Sequence, residues 1–234
     1  MLYNTSKSKI VGARRIYFID MECLPNWDLH NFLNQRKPIL TEELLLPWTK
    51  NISSALAHLH DIVRLVHFDL KPNNILVAAD FSLKIADIGF ARNPLNMEDY
   101  CGYTGYFAPE QLDRSLSPLG YKVDIFSLGV MLYEITNARH PFWESARFGS
   151  MDAHQISQAL ISNVRNHDMS KFNPIFPLNI DFIGLIEKMV LFDPSSRPTA
   201  GNILNLQIIL ETSSIPPSVG FRQQINPSPS QVMP

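Results

Sequence analysis

The chain has 234 residues, 45% hydrophobic and 18% charged, the balance of a folded domain that can bury a sizeable core. A formal net charge of −2 gives no electrostatic reason to expect nucleic acid or an anionic membrane as the main partner. Cys23 and Cys101 are too few for a disulfide framework or a thiolate zinc site, so an intracellular setting, cytoplasmic or nuclear, is expected.

Met1 to Ile10 lacks the apolar run of a signal peptide, and no stretch reaches the roughly 20 apolar residues of a membrane helix. Ile16 to Cys23 is short, aromatic and β-branched, and reads as a strand leading into the connector Leu24-Pro25-Asn26. Asp28 to Gln35 reads as one short helix. Thr41, followed by Glu42 and Glu43, reads as the cap of a helix that carries Leu45, Trp48, Ile52, Leu56, Leu59 and Val63 at three- and four-residue spacing. Pro47 marks a start or a kink in that helix. Ile75–Val77 and Leu83–Ala86 form a hairpin across Ala79-Asp80-Phe81-Ser82. Asn93 to Ser117, rich in Gly, Pro, Asn and Tyr, is too long to be a mere connector. Val123 to Thr136, apolar nearly all round, is a buried central helix. Phe182, Leu185, Ile186, Met189 and Val190 form another stripe, and Thr199 to Leu210 a last one. Beyond Glu211 the Ser, Pro and Gln content predicts a disordered tail.

Phosphoryl transfer needs positioned charges more than reactive groups: an acid to orient the attacking hydroxyl, a cation on the moving phosphoryl, and oxygen ligands for magnesium. His67-Phe68-Asp69-Leu70-Lys71-Pro72-Asn73-Asn74 supplies all three in one loop. It resembles the protein-kinase catalytic loop, with the Lys-Pro of the serine/threonine version. Asp87-Ile88-Gly89, an ordinary turn if met alone, is similar to the kinase magnesium motif Asp-Phe-Gly. Ala108-Pro109-Glu110, preceded by Cys101-Gly102-Tyr103-Thr104-Gly105-Tyr106, is similar to the end of an activation segment. Asp124-x-Phe126-x-x-Gly129 resembles the helix whose aspartate holds the catalytic-loop backbone, and Arg197 matches the arginine that pairs with the glutamate of Ala-Pro-Glu.

The resemblance implies catalytic roles for Asp69 and Lys71, magnesium ligation by Asn74 and Asp87, and ATP as phosphoryl donor to a protein substrate. It further implies a hinge at Met21-Glu22-Cys23-Leu24, with backbone groups of Glu22 and Leu24 on adenine, Leu76 under the ring and Asp28 near the ribose; the residues alone also allow an ordinary core strand there. The implied fold is α+β and mainly α: a helical large lobe plus a remnant of the small lobe, its fourth and fifth strands and the hinge. The expected organisation is a partial small-lobe segment over 1–15, the kinase domain over 16–211 and the tail over 212–234.

Several positions depart from the family pattern. No Gly-x-Gly-x-x-Gly and no Val-Ala-x-Lys occurs, and Lys7 and Lys9 cannot replace the family's phosphate-gripping lysine. Two readings follow: a piece of a longer kinase, or a short product that does not close on ATP and serves as a pseudokinase or scaffold, its binding surface near Pro141-Phe142-Trp143. Phe68 replaces the arginine that usually binds a phosphorylated activation segment, and Asp99 falls near the usual phosphorylation position. Tyr103 stands where serine/threonine kinases carry a threonine, with Thr104 competing for that role.

Overall fold

The computed structural model describes residues 2–11, 14–94, 105–143, 151–212 and 220, with 2–11 and 14–21 as backbone. In chain order the described residues form β1 (Leu2–Val11), β2 (Arg14–Met21), α1 (Leu29–Asn31), α2 (Glu42–Ala57), β3 (Ile75–Val77), β4 (Leu83–Ile85), α3 (Pro109–Leu112) and α4 (Lys122–Asn137). They continue with α5 (Ala153–Arg165), α6 (Ile180–Met189), α7 (Ala200–Leu204) and α8 (Gln207–Leu210). Asp99, Cys101, Tyr103 and Thr104 lie outside the described residues, as does the expected tail apart from Thr212 and Gly220.

A helix that is apolar on every side has to be surrounded, and α4 is: Val123 to Tyr133 is an unbroken run of buried residues. One core cluster joins α4 to α2 and α6 through Leu128, Leu132, Ile52, Leu56, Leu185 and Ile186. A second packs its other side, through Phe126 and Val130, against Phe142 and the α5 residues Ile156, Leu160 and Val164. Burying each such aliphatic or aromatic side chain contributes roughly 1.5–3 kcal/mol.

Among the described residues the strands form two separate antiparallel pairs, β1 with β2 and β3 with β4. The second pair is fastened to α2: Trp48 Nε1 donates to the Phe81 carbonyl at 2.9 Å, and Asn51 Oδ1 accepts from the Leu83 amide at 3.0 Å. These bonds fix the hairpin whose two ends carry the candidate metal ligands.

Several local expectations need correction. The α2 helix begins at Glu42, five residues before Pro47, and Thr41 occupies the cap position without a side-chain capping bond. The stripe ends early: α2 gives way to a π-type turn over His58–Val63, and Val63 is 45% exposed. Asp28–Gln35 is not one regular helix but the single turn α1 followed by a π-type turn over Phe32–Arg36. Thr199–Leu210 divides into α7 and α8, separated at Asn205 and Leu206. Phe142 offers no surface for a partner. It is 1% exposed and stacks on Phe126 with ring centroids 5.7 Å apart.

Candidate active site

The site is built outward from α4. Asp124 lies in the first turn of that helix, fully buried, and an unpaired carboxylate there would be expensive. Three donors satisfy it: the His67 amide at 2.8 Å, the Phe68 amide at 2.9 Å and His60 Nε2 at 2.8 Å. Phe68 has φ of 66°, a left-handed conformation that a bulky residue resists. The two amide bonds to Asp124 hold it there, and its buried ring anchors the turn in the second core cluster. The bend also exposes the Phe68 carbonyl to Gln111 Nε2, at 3.1 Å.

After the bend comes Asp69, 7% exposed. Lys71 Nζ donates to both its carboxylate oxygens, at 2.9 and 2.8 Å. Asn74 Nδ2 donates to the Asp69 carbonyl at 2.7 Å and to Oδ2 at 2.9 Å. With the amide nitrogen so engaged, Oδ1 is the Asn74 atom left for a cation.

Asp87 follows β4, exposed, with φ of 56°, and its side chain accepts from the Gly89 amide at 3.2 Å. The residue before it is tied to the Asp69 loop twice. The Ala86 amide donates to the Asn74 carbonyl at 2.9 Å, and His67 Nε2 donates to the Ala86 carbonyl at 3.0 Å. His67 Nδ1 accepts from the Asp69 amide at 3.3 Å, which is consistent with the Nε2–H tautomer. A backbone bridge between Val66 and Arg92 closes the arrangement on its far side. Ile88 is 55% exposed beside Asp87.

The four residues expected to handle nucleotide lie on the connector and on β3. Asp28 pairs with Leu76 in a backbone bridge, the Val77 amide donates to the Trp27 carbonyl at 3.0 Å, and Asn26 Nδ2 donates to the Ala78 carbonyl at 2.7 Å. The connector is thereby laid along the strand that starts next to Asn74. The Asp28 carboxylate is already engaged, accepting from the Asn31 amide at 2.9 Å and from Asn31 Nδ2 at 2.6 Å as the cap of α1. Leu24 is half-buried. The Glu22 carboxylate meets Lys84 of β4 at 2.6 Å, and that hydrogen bond holds its carboxyl below the ordinary range. Thus Asp69, Lys71 and Asn74 are in direct contact, Asp87 is joined to them through Ala86, and Asp28 is joined to Leu76.

The Asp69 loop rests on α3 and α4. Arg197 meets Glu110 in a buried two-point pair at 2.6 and 3.0 Å, as the motif implied. Ser127 Oγ donates to the Tyr106 carbonyl at 2.8 Å, and the Tyr106 hydroxyl donates to Glu134. His140 packs edge-on against Tyr106, and its Nδ1 accepts from the Phe142 and Trp143 amides at 3.1 and 2.9 Å. A side chain on Gly105 would meet His140 Nε2 at 2.6 Å, so only glycine fits that approach. His60, Gln111 and His140 carry no motif, and nothing in their local sequence distinguishes them.

Among the described residues no three His, Cys, Asp or Glu side chains converge to hold a metal. The available donors are hard oxygens, Asn74 Oδ1 and the Asp87 carboxylate. That set suits magnesium, which keeps several waters and takes further oxygens from nucleotide phosphates. It does not suit zinc.

Residues 4–209 match the family described as Protein kinase domain. The chain is similar to the cell cycle serine/threonine-protein kinase CDC5/MSD2 of Saccharomyces cerevisiae, 31% identical over 206 residues, which covers 86% of this chain and 27% of the relative. It is similar to the serine/threonine-protein kinase cds1 of Schizosaccharomyces pombe at 35% identity, over 77% of this chain and 38% of the relative. The human serine/threonine-protein kinase Nek5 is 30% identical over 80% of this chain and 25% of its own length. The chain therefore spans about a quarter to two-fifths of the length of these relatives.

Proposed function

Because the chain belongs to the protein kinase family, we propose that it carries the phosphoryl-transfer machinery of a serine/threonine kinase, moving the γ-phosphoryl group of ATP to hydroxyls of a protein substrate. The observation that carries this reading is the contact of one carboxylate, one ammonium and one amide within 3 Å at Asp69, Lys71 and Asn74. The second carboxylate, Asp87, follows a residue bonded to the same loop.

In this reading Asp69 orients the substrate hydroxyl and accepts its proton. Lys71, which closes on Asp69 in the structure, turns to the transferring phosphoryl group when substrate binds. Asn74 Oδ1 and the Asp87 carboxylate hold magnesium, which neutralises charge on the nucleotide phosphates. Leu76 packs under adenine, backbone groups of Glu22 and Leu24 bond its edge, and Asp28 lies toward the ribose. The capping bonds from Asn31 limit what the Asp28 carboxylate can offer a hydroxyl, so its share in binding is the smallest of the four. The reaction belongs inside the cell, where ATP is held.

A second reading, a kinase-like domain that binds protein partners without turnover, is favoured by one observation: no Gly-x-Gly-x-x-Gly occurs in these 234 residues. Two measurements separate the readings, made on this chain and on any longer product that contains it. Mg-ATP at a hundred times its dissociation constant should stabilise the fold by about 2.7 kcal/mol, read as a rise in melting temperature. Asp69→Asn should lower transfer of labelled phosphate to protein by about 100-fold or more while leaving folding intact. Transfer unaffected by the substitution removes Asp69 from its role. Absence of both stabilisation and transfer in every form of the product leaves the binding-module reading.

A further inference from the structure

The peptide unit between Phe68 and Asp69 governs where the Asp69 carboxylate points, and both of its polar ends are tied to side chains. Its N–H, on Asp69, donates to His67 Nδ1 at 3.3 Å. Its carbonyl, on Phe68, accepts from Gln111 Nε2 at 3.1 Å. On the near side of Phe68 the amide is held by Asp124 at 2.9 Å. A bulky residue with φ of 66° is strained, and with its amide fixed it can leave that conformation only by swinging its carbonyl round. The bond from Gln111 opposes that swing.

Gln111 is well placed to do so. It is the third residue of α3 and 9% exposed. Its Oε1 accepts from the Ala108 amide at 3.0 Å, the reach back to the cap that glutamine makes at the third helical position. One end of the side-chain amide faces an N–H and the other a carbonyl, so a single orientation of the group satisfies both. Phe68 and Ala108 are both buried, so water is poorly placed to replace either bond. The neighbouring Glu110 anchors α3 itself through its buried pair with Arg197.

We propose that Gln111 is a positioning residue for Asp69. By fixing the Phe68 carbonyl from α3 it sets the direction in which the Asp69 carboxylate leaves the loop, acting through the backbone rather than on the reactants. The inference rests on the kinase reading of Asp69 and adds to it a dependence of the catalytic loop on α3.

Two substitutions of nearly unchanged size separate holding from filling. Gln111→Met keeps the length and removes both hydrogen-bonding ends. Gln111→Glu keeps an acceptor for the Ala108 amide but, when ionised, turns a second oxygen on the Phe68 carbonyl. Burial raises the pKa of the introduced carboxyl, so lowering the pH protonates it and restores a donor to that carbonyl.

Hydrogen exchange in the full chain, taken as a ratio to the unsubstituted protein at the same pH, reads the loop. At about pH 8 both substitutions should speed exchange at the Phe68 and Asp69 amides by about fivefold or more beyond any change at Ile52 in α2, the worth of one net hydrogen bond. In Gln111→Glu the Ala108 amide should stay protected, and the excess at Phe68 and Asp69 should shrink by about pH 6. In Gln111→Met that excess should persist. In the form of the product that transfers phosphate, kcat should follow the same pattern, falling about fivefold or more, with KM for ATP unchanged. Unaltered exchange at both amides in Gln111→Met, or an equal excess for the two substitutions at about pH 6, overturns the proposal. Faster exchange with kcat untouched overturns it as well, leaving Gln111 a packing residue. Absence of transfer by the unsubstituted protein in every form removes the kinase reading instead, and the exchange ratios then decide whether Gln111 holds the peptide unit.

Discussion

Arg197 is among the largest fully buried side chains of the molecule, and a guanidinium out of water must have every donor matched. Besides Glu110, the Leu191, Phe192 and Lys122 carbonyls accept from it at 2.7, 2.9 and 3.3 Å. Its Cζ lies 4.8 Å from the centroid of the Phe126 ring. Arg197→Ala removes one member of a buried pair and leaves the Glu110 carboxylate stranded, so unfolding in urea should show a loss of about 3–5 kcal/mol. Glu110→Gln keeps a hydrogen-bonding partner for the guanidinium and should cost less. Equal and small losses from both would mean that water reaches the pair. The Asp69, Lys71 and Asn74 cluster was legible because its residues stand at fixed offsets in one loop, and the Arg197–Glu110 pair, 87 positions apart, only through the resemblance of both segments to kinase motifs. His60 was not: it belongs to no motif and meets Asp124 across 64 positions, from the π-type turn that follows α2. Gln111 was hidden in the same way, since its bond to the Phe68 carbonyl exists only once the left-handed bend at Phe68 has formed.

Periodicity found the elements that bury one clear stripe or a whole circumference, namely α4, α6 and most of α2. It missed α5, although Asp152 and Gln155 form a reciprocal cap and Ile156, Leu160 and Val164 recur every four residues. Its apolar stripe is narrow, with four of the thirteen residues of α5 buried, but it was there to be read. Pro47 does not start the helix. The helix begins at Glu42, and Leu44, Leu45 and Trp48 around the proline are buried, so tertiary packing supports the turn that proline weakens. Where α4 crosses α6 the constraint is tighter than any stripe reveals. A Cβ on Gly129 would stand 2.5 Å from Met189 Cβ and 2.9 Å from Val190 Cγ1. Gly129→Ala should therefore destabilise the chain by about 1–3 kcal/mol, despite alanine's higher helix propensity. A denaturation midpoint that rises on this substitution would show that α6 can withdraw from the contact without penalty.

At the scale of the molecule, the segments on either side of α4 meet at a histidine that belongs to no motif. His140 follows α4, packs against Tyr106 and Phe142, and lies where Gly105 must come close. Burial pushes its pKa down to about 4, a shift that the nearby Gly105 backbone partly opposes. The Phe142 and Trp143 amides pointing at Nδ1 favour the neutral ring as well. In the unfolded chain the same side chain titrates near 6.5, so between these values the unfolded state binds more protons than the folded one. Stability from this group is complete above about pH 6.5 and is lost as pH falls toward 4, by on the order of 2–3 kcal/mol. His167, also lowered by burial, adds a contribution of the same sign. Urea unfolding measured from pH 8 to pH 4.5 should show this decline. His140→Asn retains a polar side chain but has no titration in the window, so its stability should be lower at pH 8 and flatter between pH 6.5 and 5. Parallel pH profiles for the two proteins would remove His140 as the source and assign the acid sensitivity to His167 and the carboxylates instead.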